Sequence, residues 1–390
     1  MTAATPPTTF SPVENEPPLR WQRALHLAPR TGLGVGRRAM FFTALAWLPV
    51  VVWAAATHHL WEAPVAGESL LQHFGVHARF LIAIPLLIFA EASAHTWLSA
   101  TFRQFTQSGI VGAAAEGSFD RILRGLGRLR DASLPWIFLL GIVLAWSIID
   151  TPDPRADELT WARESDGTLG FGGWWIAYVA RPIFLALVIG WLWRLGLLVI
   201  AFARIGRLEL SLVPTHPDRV GGLGFVEPLP VSMTLVTFAL SAVIASRWAH
   251  EILYHDLALD AIRLPAAVFV LGWALLLLLP LLALGPALVA AKRRALPAYS
   301  ALVETHGRLV QRRWIDHEAV SETALLEAPE IGPVADTASI YLVVKAMKPV
   351  PIAMRTLLPI VIPIAIPILV VVLLRVPVKE VLVKLLKTLL

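Results

Sequence analysis

The sequence predicts an all-α, polytopic helical membrane protein. It has about six transmembrane helices, a proline-rich C-terminal membrane segment and an amphipathic tail. Three observations predict this. Hydrophobic residues make up 57% of the chain and charged residues 16%, where a soluble domain carries about a quarter charged. The apolar residues gather in long runs instead of alternating as they would around a soluble core. The cations also alternate from loop to loop.

The chain begins with residues 1–38, rich in Pro, Thr and Ala with Glu14 and Glu16 among them, which read as a disordered cytoplasmic tail. No A-x-A cleavage site follows a short apolar run, so the first span is expected to act as an uncleaved anchor. Residues 39–291 form the transmembrane domain. Its runs are Ala39–Ala56, Arg79–Ala100, Leu134–Ile149, Gly173–Phe202, Leu229–Ala249 and Pro265–Ala291. About 20 apolar residues cross a bilayer core of about 30 Å, so the third run is short and the fourth and sixth are long enough to need tilt or kinks.

Arg20, Arg23, Arg30, Arg37 and Arg38 precede the first run, and the loop from Thr57 to Ala78 has no Lys or Arg. The next loop carries Arg103, Arg121, Arg124, Arg128 and Arg130, and the one after it is acidic. Basic loops facing inward place the N-terminus in the cytoplasm of a bacterial inner membrane. Trp174 and Trp175 fall where an outer aromatic belt belongs.

Residues 292–355 read as a cytoplasmic loop or small subdomain, or as a piece packed on the inner ends of the spans. Within it, Ala298–Trp314 has helical periodicity, with Leu302, Leu309 and Val310 as apolar contacts. Residues 356–390 comprise the proline-rich run and the tail. Pro359, Pro363 and Pro367 recur every four residues, which implies either a kinked span or a re-entrant hairpin. Beyond Pro377, leucines and valines share one face opposite Lys379, Lys384 and Lys387, the pattern of an interfacial helix.

No cysteine is present, which excludes disulfides, thiolate metal sites and cysteine nucleophiles. The slight positive balance suits loops facing anionic lipid headgroups. No aromatic-basic pattern supports nucleic acid as a partner. The bilayer itself is the expected partner, and no motif specifies a cofactor.

Ionisable residues at membrane depth point most directly to function. Glu91 and His95 share a helix face at i, i+4, and Arg181 and Arg194 lie in the long fourth run. At helical rise Glu91 is about 10 Å in depth from either arginine, so the sequence does not select its partner. The cluster is either functional or a case of snorkelling toward the inner headgroups. The second candidate is the loop Pro214–Phe225, where His216, Asp218 and Arg219 stand beside Gly221, Gly222 and Gly224. Its backbone donors suit an anion, with Arg219 adding charge. His216 and Asp218 alternatively supply two metal ligands, too few to specify a metal site, or Asp218 caps the turn. An outer group, Arg247, His250, Glu251, His255, Asp256 and Asp260, lacks the i, i+4 histidine spacing of a zinc helix. Its ordinary reading is a solvated helix end. His77 and Arg79 mark the outer mouth of the second span, as anchors or as a greeting for an anion.

The stretch Thr215–Phe225 resembles a motif of a family of uncharacterised bacterial integral membrane proteins with a THPDRxGGLGF loop. Val76–Leu81, leading into a Pro- and Glu-containing span, is similar to another part of that family, as is the proline-rich run with its Leu/Lys tail. The resemblance implies architecture and no activity. The His-Pro-Asp triplet is also found in J-domains, but those set it between two soluble helices.

Three functions compete. A transporter or channel for a small or anionic solute would use Glu91 and His95 as a relay and the arginines as charge partners. A membrane enzyme would work through His216, Asp218 and Arg219. A scaffold or signalling partner would need neither cluster.

Overall fold

The computed structural model of the chain describes residues 10–62, 68–149, 157–164, 167–318 and 332–375. Eleven helices account for most of them: α1 Pro17–Ala24, α2 Val35–Ala56, α3 Phe74–Gln107, α4 Ala113–Asp131, α5 Ser133–Ile149, α6 Phe171–Ile205, α7 Thr234–Tyr254, α8 Arg263–Leu282, α9 Gly285–Val310, α10 Gly332–Lys345 and α11 Met354–Arg375. Among the described residues the extended backbone amounts to one isolated bridge, Arg163 with Leu169. Six helical stretches are long and apolar enough to cross a membrane, centred on α2, α3, α6, α7, α8 and α11. Their outer faces confirm the solvent they are built for. Leu264, Val268, Leu271 and Leu275 line one exposed face of α8, and Leu134, Phe138 and Leu144 stand out from α5.

Side-chain contacts give the direction of each helix. Arg38, in the first turn of α2, reaches Glu91 of α3, while Trp47 further along α2 meets His77 near the start of α3. The two helices are therefore antiparallel. Trp191 of α6 donates to the Leu87 carbonyl of α3, and Arg194 meets Glu91, so α6 runs parallel to α3. Two successive long spans that run the same way need a crossing between them. That crossing is α5, which is bent by 42° from α4. Its 17 residues extend about 26 Å at helical rise. We call the face on which α2 begins the near face, and its opposite the far face.

The proline-rich helix is one continuous element, and it crosses. Near the start of α11, Arg355 pairs with Glu227; midway, the Ile364 carbonyl accepts from Ser241; further on, Val371 packs with Ala245, Ala249 and Ile252. These partners climb α7 in order, so α11 is parallel to α7 and traverses from the near to the far face. The re-entrant alternative is thereby corrected. The spacing of the prolines explains the packing. Thr356, Ile360, Pro363, Ile364, Pro367 and Val371 form the buried face of α11. They meet a face of α7 built from Ala239, Ser241, Ala242, Ala245 and Ala249. Small residues let two helices approach closely in a membrane, where lipid supplies no hydrophobic drive for association. The amphipathic tail expected after Pro377 lies outside the described residues.

Prolines also shape the other spans. Pro49 has no N–H, so the carbonyl of Leu45 lacks its usual helical partner. The indole of Trp175 donates to that carbonyl at 3.0 Å. Trp175 thus packs inward, while Trp174 stays exposed and stacks on Tyr178. Pro85 and Pro182 each follow a π-turn, Ala78–Ala83 in α3 and Ile176–Ala180 in α6. The wider turn is a usual way to absorb a broken helical ladder.

The boundaries shift accordingly. The sixth run breaks at Ala283 and Leu284, and Pro286 restarts the chain in the first turn of α9, where proline is tolerated. Helix α9 runs unbroken through residue 292. Lys292 donates to the Met347 carbonyl, and Met347 is buried in the main core. The segment after the sixth run therefore packs on the near ends of the spans. Leu309 is buried there as expected, but Leu302 is exposed.

A single cysteine at Met354 or at Leu374, both exposed, tests the crossing of α11. An impermeant thiol reagent should label the two from opposite sides of sealed vesicles; labelling from the same side would restore the hairpin.

Candidate functional site

The expected disordered tail is corrected from residue 10 onward. Ser11 accepts from the backbone of Val13 and Glu14 and turns the chain. Glu16 then precedes α1 with Pro17 in its first turn, a position where the missing N–H costs no hydrogen bond. Phe10, Ser11, Val13, Glu16, Pro17 and Leu19 are all buried. The segment is laid across four helices. The Phe10 ring meets Phe102 edge-on at 5.2 Å, with the Arg130 guanidinium 5.7 Å from its centroid. Arg130 also donates to the Ser11 carbonyl, His95 pairs with the Ser11 hydroxyl at 2.8 Å, and Arg20 donates to the Asp131 carbonyl at 2.7 Å.

At the centre of this contact lies a four-charge cluster. The Arg194 guanidinium holds both oxygens of Glu16, at 3.0 and 3.2 Å from Nε and 2.7 Å from Nη2. The same Nη2 donates to Glu91 at 2.8 Å. Arg38 takes the other Glu91 oxygen and is itself steadied by Gln22 of α1 and the Leu33 carbonyl. Trp191 lies beneath Arg194, its ring centroid 4.8 Å away, within cation–π range. None of the four charged residues is more than 4% exposed. This is ion pairing in the interior, and it replaces the snorkelling alternative for Arg194. The cluster's level follows from Arg38, which sits in the first turn of α2 near the near face. Helix α3 continues 16 residues beyond Glu91 to Gln107, about 24 Å at helical rise.

Of the four residues expected to cluster, Glu91 and Arg194 pair directly, while His95, one turn further along α3, bonds to Ser11 of the docked segment. Arg181 does neither. It lies 13 positions before Arg194 on the same helix, about 20 Å away. In sequence, Glu16 reads as part of a tail and Arg38 as one more inward cation. The legible signal was the helix start Glu16-Pro17-Pro18, with Phe10, Val13 and Leu19 as apolar contacts nearby.

Burial and pairing oppose each other at Glu16. Burial pushes its carboxyl up to about 7, against the pull of Arg194.

The glycine-rich loop is occupied by its own side chain. The Asp218 carboxylate accepts the N–H groups of Val220, Gly222 and Gly224 at 2.9, 3.2 and 2.8 Å, and His216 Nδ1 lies 2.9 Å from Oδ1. Burial raises the Asp218 pKa, but these bonds outweigh it and hold the carboxyl below its usual range. Gly221 and Gly222 take φ of +67° and +95°, which glycine adopts at little cost. A Cβ on Gly224 would lie 3.0 Å from the Asp218 carboxylate. The Arg219 carbonyl accepts from Lys348 at 2.7 Å, tying the loop to the link before α11. The donors expected for an anion are thus already filled, and the loop is a structural turn. Among the described residues no group of three His, Asp or Glu side chains is placed to hold a metal ion.

On the far face, His250 turns inward, stacks on His73 at 4.6 Å and bonds the Gln72 carbonyl. Arg247 with Glu251 and Asp260 with Arg263 form exposed pairs, which fits a solvated helix end. His77 accepts from Trp47 and donates from Nε2 to the Leu70 carbonyl, and Arg79 lies over Phe184; both anchor the mouth of α3.

Comparison of the chain with protein-family models, with curated proteins and with solved structures returns no match.

Replacing Arg194 by Met leaves Glu16 and Glu91 to share Arg38, and should lower stability by about 3–5 kcal/mol. Arg194→Met with Glu16→Gln leaves one balanced pair and should recover part of that loss. Thermal unfolding of the purified variants checks both. Additive losses would mean the two side chains do not interact.

Proposed function

We propose that the protein is a bacterial inner-membrane protein, with its near face in the cytoplasm, that moves a small anionic solute. One observation carries this reading. Two guanidinium groups meet between three spans, α2, α3 and α6, and only one of the two carboxylates that balance them belongs to the spans. The other, Glu16, comes from a peripheral segment. When that segment leaves, the space among the spans holds one uncompensated cation, which at low dielectric attracts an anion strongly.

His95, which bonds to the same segment, lies beside this space and is suited to carry a proton. The π-turns before Pro85 and Pro182 give α3 and α6 a place to flex. The orientation rests on the basic near-face loops, where Arg293, Arg294, Arg312 and Trp314 are exposed and suited to anionic headgroups. The likeness of Thr215–Phe225 to a family of bacterial integral membrane proteins supports the same location. The enzyme alternative is weaker, because Asp218 is engaged in holding its own turn.

Anion flux into proteoliposomes tests the proposal. Arg194→Gln and Arg38→Gln should each cut flux at least about tenfold, the loss of roughly 1.4 kcal/mol of interaction with the passing anion. His216→Ala should leave it within about twofold. Flux indifferent to both arginines, or abolished by His216→Ala alone, would overturn the reading.

A further inference from the structure

We propose that Arg194 and Arg38 form a binding site for small soluble carboxylates, and that Glu16 of the chain's own N-terminal segment is its built-in occupant. The segment therefore acts as a tethered competitor: a free carboxylate that takes the place of Glu16 releases residues 10–24 from the bundle.

The geometry is that of a bound ligand. Glu16 presents both carboxylate oxygens to one guanidinium, with three donor–acceptor contacts between 2.7 and 3.2 Å. This is the fork-to-fork arrangement by which Arg selects carboxylates. The other charges hydrogen-bonded within the cluster are supplied by the spans: Arg194 from α6, Arg38 from α2 and Glu91 from α3. Glu91 is shared between the two arginines, so it fixes their positions and leaves one positive charge over. Glu16 answers that charge, and no other acid takes part in the described contacts of the cluster.

Away from Glu16 the segment is held by Arg130 on the Ser11 carbonyl, Arg38 on Gln22, Arg20 on the Asp131 carbonyl, the Ser11–His95 hydrogen bond, Ser99 on the Phe10 carbonyl at 3.5 Å and the packing of Phe10 on Phe102. Once vacated, the crevice offers a guanidinium at one end and an aromatic ring toward the other, which suits a carboxylate carrying a short apolar group. The segment is joined to α2 by residues 25–34, where His26, Gly32 and Gly34 all take positive φ. This irregular link lets α1 swing without disturbing the span. Mass action then sets occupancy: the tethered carboxylate holds the site at low solute concentration, and a solute in excess displaces it. The role of this site in transport rests on the function proposed above, but its existence does not.

The test uses the full-length chain in lipid nanodiscs with Val13→Cys, a buried position in a protein that has no cysteine of its own. The rate of labelling by an impermeant maleimide reports release of the segment. Sodium acetate is compared with sodium chloride at equal ionic strength and pH. The expected result is slow labelling in chloride and a saturable acceleration of about tenfold when acetate exceeds its dissociation constant about tenfold. Glu16→Gln in the same background should label fast in either salt. Carbon-13 acetate should show saturation transfer from the Glu16→Gln protein and lose it when Arg194→Gln is added. Equal rates in acetate and chloride would overturn the proposal, as would slow labelling of the Glu16→Gln variant or acetate binding that survives loss of Arg194. Acetate-dependent labelling without anion flux in proteoliposomes would keep the site and remove the transport reading.

Discussion

Arg194 carries two carboxylates at once, one from a neighbouring span and one from outside the membrane region. Much of the near half of the molecule depends on that arrangement. A buried guanidinium is costly to desolvate and is tolerated only when its donors are met. Glu91 alone cannot meet them, because Arg38 claims its second oxygen. The shortfall is made up by Glu16, and to deliver it the chain folds residues 10–24 across α2, α3, α4 and α6. The same pairing locks α2, α3 and α6 in register, since each contributes one charge at one level. Removing any one of the four leaves a charge without its counterpart, so the cluster behaves as a unit.

A second constraint is the need to satisfy the backbone where no water reaches. The chain is unusually rich in proline for a helical bundle, with 29 residues, and several fall inside spans. The structure answers by local devices. Trp175 repairs the carbonyl released by Pro49. The π-turns in α3 and α6 accommodate Pro85 and Pro182. These devices sit at contacts between helices, so proline here serves packing as well as bending.

The sequence made the spans legible because a run of about 20 apolar residues has one physical solution in a bilayer. It also marked Glu91, His95 and Arg194 as belonging together, since ionisable groups at that depth need partners. It did not reveal that α3 and α6 run parallel, which depends on α5 crossing with only 17 residues. Nor did it reveal the fate of residues 10–38. Composition there is that of a solvated tail, and the contacts that order it come from residues more than 80 positions away, such as His95 and Arg194. The Gly-rich loop misled for a related reason. A nest of backbone donors looks the same in sequence whether it awaits an anion or is filled by its own Asp218, and only the fold distinguishes the two.

The near half of the molecule depends on the docking of residues 10–24, and hydrogen exchange measures that docking directly. Mass spectrometry on the wild-type protein in nanodiscs should find the amides of Glu16, Arg20 and Leu25, which are bonded within the segment, protected well beyond the rates of a free peptide. Glu16→Gln should return the same amides to near-free exchange while α2, α3 and α6 stay protected. Free-peptide exchange in the wild-type chain, or protection that survives loss of the Glu16 charge, would contradict it.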